Sequence, residues 1–293
     1  MLHITNGSSV SLSDSGLGGD IVFWVDTLYE GPVPAGLTHG ELTRLRDTYF
    51  SGHLLAQRDA AIAASLASDE IALWFEHDLY DQLQLIQILD QLAARGPSGV
   101  SLIAIQDYLG HLTGEQLAAL WPARRPVSVA ALQLASAAWA AFRSPDPTAI
   151  ERLLRSDCSE LPFLAAALER YLEQFPWVDN GLNRTERQIL SLIDAGHRTF
   201  PALFRADQQT EPWIFMGDTS YRYYLTGIMT CPHPLVEEIG GKYRVTQTGR
   251  EVQSGRADHI RLNGINRWLG GVHLEGSEAR WRWSEAKRRL IPH

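Results

Sequence analysis

The apolar positions of the first hundred residues fall into short continuous runs separated by amphipathic stretches. Residues 2–5, 21–25, 71–75 and 100–105 are runs of strand length. His3 interrupts the first run, whereas residues 21–25 are continuously apolar, and that continuity predicts a strand covered on both faces, as in a parallel sheet. Between them the period changes. Leu42, Leu45, Tyr49 and Phe50 mark a helix from about residue 38, and an alanine-rich stretch over 54–67 predicts a second. Leu83, Ile86, Leu89 and Leu92, widened by Leu85 and Ile88, predict a helix over 80–95 that Gly96-Pro97 stops. Strand–helix alternation implies an α/β fold. It is expected to be an open, Rossmann-like parallel sheet of about four strands with right-handed crossovers.

The pattern shifts after Thr113. Helical stretches over 126–141, 146–155 and 160–174 predict a helical connector, and Phe175-Pro176-Trp177 and Asn180-Gly181 mark its end. Helices are then expected over 183–195, 199–206 and 218–230. A hairpin of 235–239 with 242–246 turns at Gly240-Gly241. Three short helices followed by a hairpin is the element order of a winged helix. Beyond a helix at 248–253, residues 268–274 and 279–284 read as a two-stranded tail, in which Trp281-Arg282-Trp283 alternates like an exposed strand. The expected layout is an α/β domain over 1–125, a helical connector over 126–180, and a winged-helix-like domain with a β-hairpin tail over 181–293.

Charge divides along the same line. Residues 1–180 carry 10 basic and 22 acidic side chains, a net charge of −12, whereas residues 181–293 carry 16 basic and 12 acidic, a net charge of +4. Such asymmetry predicts different partners for the two halves. No apolar run approaches the roughly 20 residues that span a bilayer, and no basic segment precedes the first apolar run. A cytoplasmic protein without membrane contact is therefore expected, with Cys158 and Cys231 as reduced thiols.

Candidate chemistry follows from the sheet. Ligands of open parallel sheets bind beyond the carboxyl ends of the strands. The residues just past the expected strands are Asn6-Gly7-Ser8-Ser9, Asp26, Glu76-His77-Asp78 and Asp107, with Glu30 in the following turn and Tyr80, Asp81 and Gln82 one turn into the next helix. The Asn-Gly-Ser-Ser turn, if it opens a helix, would present backbone N–H groups to an anion. His77 among acids is expected to be held and made more basic by them, as a base oriented by Asp26 or Glu76. Carboxylates beside an imidazole could also hold a divalent metal, although no metal is among the leading expectations. His3 reads as a satisfied strand histidine. Neither GxSxG, GxGxxG nor GxxxxGK[ST] occurs, so neither a reaction nor a cofactor is named. In the second half, Arg222 on the expected recognition helix and Arg244 and Arg250 near the wing are thin provision for a phosphate backbone. Contact with a protein partner, or self-association, is the stronger expectation there, and DNA the weaker.

The motifs HITNGSS, D-x-L-x-EGPVP (Asp26, Leu28, Glu30 to Pro34) and WFEHDLYDQLQLIQIL, in this order, resemble a bacterial family catalogued as domain of unknown function 1835, over roughly residues 1–125. TERQIL, YRVTQTGREV and RWLGGVHL resemble its usual C-terminal companion region. The family pattern has an acid where this chain has Ser9. The resemblance implies the two-part layout and marks His3, Asn6, Asp26, Glu30, Glu76, His77, Asp78 and Asp81 as family-like positions, and it carries no activity. Three functions are expected in descending order. The first is a small anionic-ligand binder, for a nucleotide or phosphorylated metabolite, coupled to a regulatory partner-binding module. The second is a transferase or hydrolase using His77 with Asp26 or Glu76. The third is an interaction scaffold.

Overall fold

A computed structural model describes residues 1–52, 54–65, 68–94, 96 and 98–293. The chain forms two compact units: Met1–Leu168 with Gly270–Val272, and Glu169–Leu269 with His273–His293. No helix among the described residues is long and apolar enough to cross a membrane.

The first unit holds β1 (Leu2–Thr5), β2 (Asp20–Phe23), α1 (His39–Tyr49), α2 (Leu54–Ser65), β3 (Ile71–Phe75), α3 (Leu79–Ala93), β4 (Val100–Ala104), α4 (Gly114–Leu120), β5 (Arg125–Pro126), α5 (Val129–Phe142) and α6 (Thr148–Leu153). The five strands make one sheet in the order β2-β1-β3-β4-β5. The first four are parallel, with Ile4 level with Val22 on one side and Leu73 on the other, and β5 is antiparallel to β4. The order 2-1-3-4 belongs to doubly wound α/β sheets, whose chain winds outward in opposite directions from the β1–β3 pair. Alternate residues of β3 serve opposite faces. Ala72 and Trp74 pack with Val10, Leu12, Leu109 and Leu117 on one face, leaving Leu73 and Phe75 to the other.

Two sequence expectations are corrected here. β2 is not covered on both faces. It is an edge strand, and Phe23 and Val25 are exposed. Helix α1 buries Leu42, Thr43, Arg46 and Asp47 rather than a stripe running through Tyr49 and Phe50, both of which are exposed. Residues 66, 67 and 95, at the expected ends of the second and third helices, lie outside the described residues. Helix α3 is buried nearly all round and packs on α5. The expected connector is thus divided: α5 and α6 belong to the first unit, and α7 (Leu164–Leu172) carries the chain across the boundary.

The second unit contains α8 (Arg184–Asp194), α9 (Phe200–Thr210), α10 (Asp218–Thr230), β6 (Val236–Ile239), β7 (Lys242–Val245), α11 (Gln247–Gln253), α12 (His259–Asn263), β8 (Ile265–Leu269), all but the first residue of β9 (Val272–Gly276), β10 (Trp281–Ser284) and β11 (Arg289–Pro292). Asn183 caps α8 in a reciprocal box with Glu186. Ile189, Leu190, Ile193, Leu203, Tyr221, Leu225 and Ile228 form the buried centre under the three helices. Strands β6 and β7 pair as expected, joined by Gly240 and Gly241, both at positive φ (59° and 74°), which a two-residue hairpin turn of this kind requires. The tail differs from expectation. It is two strand pairs, β8 with β9 and β10 with β11. Strand β10 is interior, with Arg282 fully buried and paired to Asp258.

Candidate functional site at the carboxyl end of β1 and β3

Strands β1 and β3 are neighbours, and the segments that leave their carboxyl ends run toward opposite sides of the sheet. Side chains from both ends meet there. The Asn6 amide donates to Asp81 Oδ2 at 2.7 Å, and the Glu76 backbone N–H donates to Asp81 Oδ1 at 2.6 Å. Glu76 Oε1 accepts from the Leu109 N–H at 2.7 Å, and the Gln82 amide donates to the Glu76 carbonyl at 2.7 Å. Asp78 caps α3, with Oδ1 accepting from the N–H groups of Tyr80 (2.8 Å) and Asp81 (3.2 Å). The local sequence explains this. A strand ending in Glu-His-Asp followed by a helix with Asp at its third position folds the acids back onto the strand end.

The outcome is a close group of buried acids. Glu76, Asp78 and Asp81 each bring a carboxyl oxygen within 4.8 Å of the other two, and all three side chains are buried. No ion pair to any of them forms among the described residues. Burial and mutual repulsion therefore favour the protonated forms. Desolvation, reinforced by the Glu76 charge, lifts Asp78 from its usual 3.8 to about 7, against the pull of the N–H groups it caps. Desolvation, with Asp78 and Glu76 beside it, raises Asp81 well above the usual range. Desolvation also raises Glu76, opposed by the Leu109 N–H and Asn6. Three carboxyls that cannot all ionise alone can share protons or hold a divalent cation of the oxygen-seeking kind.

The other sequence candidates are placed as follows. Asp26 is engaged by two arginines. Its carboxylate accepts two bonds from Arg46 Nε (3.0 and 3.1 Å) and one from Nη2 (2.5 Å), and Arg58 lies 3.7 Å away. Arg46 is fully buried and spends its remaining donors on the carbonyls of Thr27, Glu30 and Pro32. Glu30 thus contributes a carbonyl to this node. Gln84 and Gln87 of α3 hold the end of β2, accepting from the Asp26 N–H (3.3 Å) and Trp24 Nε1 (2.9 Å).

His77 is buried between the Tyr108 and Phe163 rings, at centroid distances of 5.2 and 6.0 Å. Its expected gain in basicity is reversed. Burial lowers its pKa, against raising contributions from the Asp107 and Ile105 backbone and the Asp107 charge. His3 is satisfied as expected, accepting from Trp74 Nε1 at 3.0 Å through Nδ1, with Nε2 facing the Gly18 carbonyl at 3.3 Å. Gly7, Ser8 and Ser9 form a turn that opens no α-helix. The next element is a single 3-10 turn, Leu12–Ser15, whose preceding Ser11 makes no side-chain cap. The expected helix-terminal anion site is therefore absent among the described residues. Asp107 is exposed and accepts from the Tyr108 N–H.

In the second unit Arg222 lies over the Phe200 ring at 3.6 Å, Arg244 pairs with Glu237 at 2.9 Å, and Arg250 donates to the Val245 carbonyl at 2.9 Å. The three arginines are engaged within the unit.

Arg46 and Arg58 were not among the sequence candidates. One signal for Arg46 was available: it stands four residues after Leu42 on the helix face expected to be apolar, where a charge must have a buried partner. Comparison of the chain with protein-family models and with curated proteins finds no match to either.

Proposed function

We propose that the first unit binds a small anionic ligand, a nucleotide or phosphorylated metabolite, at the carboxyl edge between β1 and β3. The observation that carries this is the Asn6–Asp81 bond, which joins the two strand ends on either side of the switch point, where doubly wound sheets take their ligands. An anion approaching Glu76, Asp78 and Asp81 is repelled unless those carboxyls are screened. Binding is accordingly proposed to depend on a divalent cation, which Glu76, Asp78 and Asp81 would hold and which would supply the positive charge that an anionic ligand needs. Asn6 and Gln82 position the acids, and Gly7, Ser8 and Ser9 are the residues proposed to meet the ligand beside β1.

The second unit is proposed to be a winged-helix-like partner-binding module in a cytoplasmic, regulatory protein. The three-helix and hairpin order of α8 to β7 supports this. The internal engagement of Arg222, Arg244 and Arg250 favours a protein partner or self-association over DNA. The similarity to the family of domain of unknown function 1835 is proposed on the same motifs.

A second reading, acid–base catalysis in a transferase or hydrolase, draws support from Asp78, a carboxyl that titrates at about 7 and so exchanges a proton near neutrality.

The test is a thermal-shift screen of the full chain against nucleotides and phosphorylated metabolites, each with and without Mg²⁺ or Mn²⁺, repeated on Asp78→Asn. A ligand that binds the native state raises Tm by mass action. A rise of several degrees that needs both cation and phosphate, and disappears in the variant, is expected. No rise with any combination removes the proposal.

A further inference from the structure

Strand β5 leaves half of its neighbour's edge open. It pairs only Ser101 with Pro126 and Leu102 with Arg125, and the Val127 N–H beyond it donates to the Val100 carbonyl at 2.9 Å. Bonded positions of an antiparallel ladder fall on every second residue. Here they are Val100 and Leu102, and the next is Ala104. No residue of β5 reaches Ala104, because the chain enters β5 at Arg125 from the 3-10 turn Trp121–Ala123. The other side of β4 is taken by β3, where the Ile105 N–H donates to the Phe75 carbonyl at 3.3 Å. In parallel pairing a residue turns its N–H and its C=O to the same side, and its neighbours turn theirs to the other. Ala104, next to Ile105, therefore turns both groups away from β3.

A cavity of about 560 Å³ lies along this open stretch, bordered by Leu102, Ile103, Ala104 and Ile105. Successive side chains of a strand point to opposite faces, so four residues in a row border one space only along the strand's edge. The volume is within the roughly 300–1,000 Å³ range of small-molecule sites. Leu120, which packs with Ile103 and Trp74, supplies an apolar wall.

Two charges of opposite sign line the same space. Arg125 is exposed and enters no ion pair among the described residues, whereas its neighbour Arg124 lies over the Trp121 ring at 4.0 Å and faces Glu70 at 3.8 Å. Glu160 accepts from the Ser128 hydroxyl through Oε2 at 2.6 Å, and Oε1 makes no hydrogen bond among the described residues. Ser128 in turn caps α5, accepting from the Ala131 N–H at 2.9 Å, which fixes where Glu160 stands. We propose that this groove binds a short extended peptide, which adds to β4 through the N–H and C=O of Ala104, sets its terminal carboxylate on Arg125 and turns a basic side chain toward Glu160. A donor and an acceptor side by side on a strand edge select an extended backbone, and the two charges select which peptide. The proposal stands apart from the anion site at the β1–β3 edge and does not rest on it.

The experiment is a ¹⁵N NMR titration of the full chain with acetyl-Ala-Lys-Leu, with the same peptide as its C-terminal amide, and with acetyl-Ala-Glu-Leu. The free-acid lysine peptide is expected to move the Ala104 amide resonance downfield and to bind at least threefold more tightly than either of the others. Arg125→Gln, a change at an exposed residue, should remove the preference for the acid over the amide. Ala104→Pro deletes the N–H that the peptide needs and no bond to β3, and proline is tolerated where a strand's N–H faces outward. It should keep the fold and weaken binding at least fivefold. An unmoved Ala104 resonance, equal binding of acid and amide, or an Ala104→Pro protein that unfolds or binds like the wild type would each overturn the inference. So would an Ala104 shift that follows protein concentration rather than peptide, which would put a second copy of the chain on this edge.

Discussion

The Asn6 side-chain amide donates to Asp81 Oδ2 at 2.7 Å, and that bond ties the carboxyl end of β1 to the first turn of α3. It also supplies one of only two donors that the Asp81 carboxyl has in the hydrogen bonds described above, the other being the Glu76 N–H. Replacing Asn6 by Ala leaves a buried acceptor unsatisfied, which costs about 1–3 kcal/mol. Urea unfolding at pH 7 should show the midpoint falling with an unchanged slope. Asn6→Asp should be worse, since it adds a fourth acid, and added Mn²⁺ should recover part of the loss in Asn6→Asp but not in Asn6→Ala.

Asp78 makes stability depend on pH in the direction opposite to most carboxyls. Its folded pKa is about 7 against a usual 3.8, so between those values the native state binds more protons than the unfolded one. The stabilisation is complete below about pH 4 and is lost as pH rises through 7. Asp207 in the second unit is also raised to about 7, by desolvation and the neighbouring Glu211, and acts in the same window. The informative quantity is therefore the difference between wild type and Asp78→Asn. Asparagine still caps α3 but does not titrate. The variant is expected to gain on the wild type by roughly 2–4 kcal/mol between pH 5 and pH 8, as read by unfolding across that range. A difference that does not change with pH would refute the assignment.

Asp26 and Arg46 form a buried pair in the first unit, with side chains 3% and 0% exposed. Asp26→Ala strands the Arg46 charge and should cost about 3–5 kcal/mol, whereas Asp26→Ala combined with Arg46→Met should recover much of that. A double mutant as unstable as the single one in urea unfolding would show that the pair is not the cause.

His77 should be neutral at physiological pH, because burial lowers its pKa. In an NMR titration its ring resonances are expected to move at a pH below that of an exposed histidine. A titration above the usual 6.5 would contradict the environment described for it.

Much of the fold could be read from the sequence, because the central elements carry strong local patterns. The runs LHIT, IALWF and VSLIA are β1, β3 and β4, and the leucine and isoleucine stripe of α3 is buried as its period requires. Strand β2 misled because an apolar run looks the same whether a second layer covers it or it forms an edge with Phe23 and Val25 open to solvent. Strand β5, two residues long, is too short to leave a pattern. Arg282 between two tryptophans looked outward-facing because its partner, Asp258, is 24 positions away. The grouping of Asn6, Glu76, Asp78, Asp81 and Gln82 followed from strand-end positions alone. The pairing of Asp26 with Arg46, and the burial that reverses the basicity of His77, depend on the path of α1 and on the rings of Tyr108 and Phe163, which no local pattern encodes.

The cation-dependent anion site proposed at the β1–β3 edge is tested by a Mn²⁺ titration of the full chain followed by electron paramagnetic resonance, which reads free Mn²⁺. With ATP as the phosphate probe at pH 7.5, one Mn²⁺ per chain is expected to bind beyond what ATP alone takes up, and Asp78→Asn and Asp81→Asn should each abolish that binding. If the free Mn²⁺ signal in the presence of the wild-type protein matches that of ATP alone, the three acids hold no cation and this edge is not the proposed ligand site.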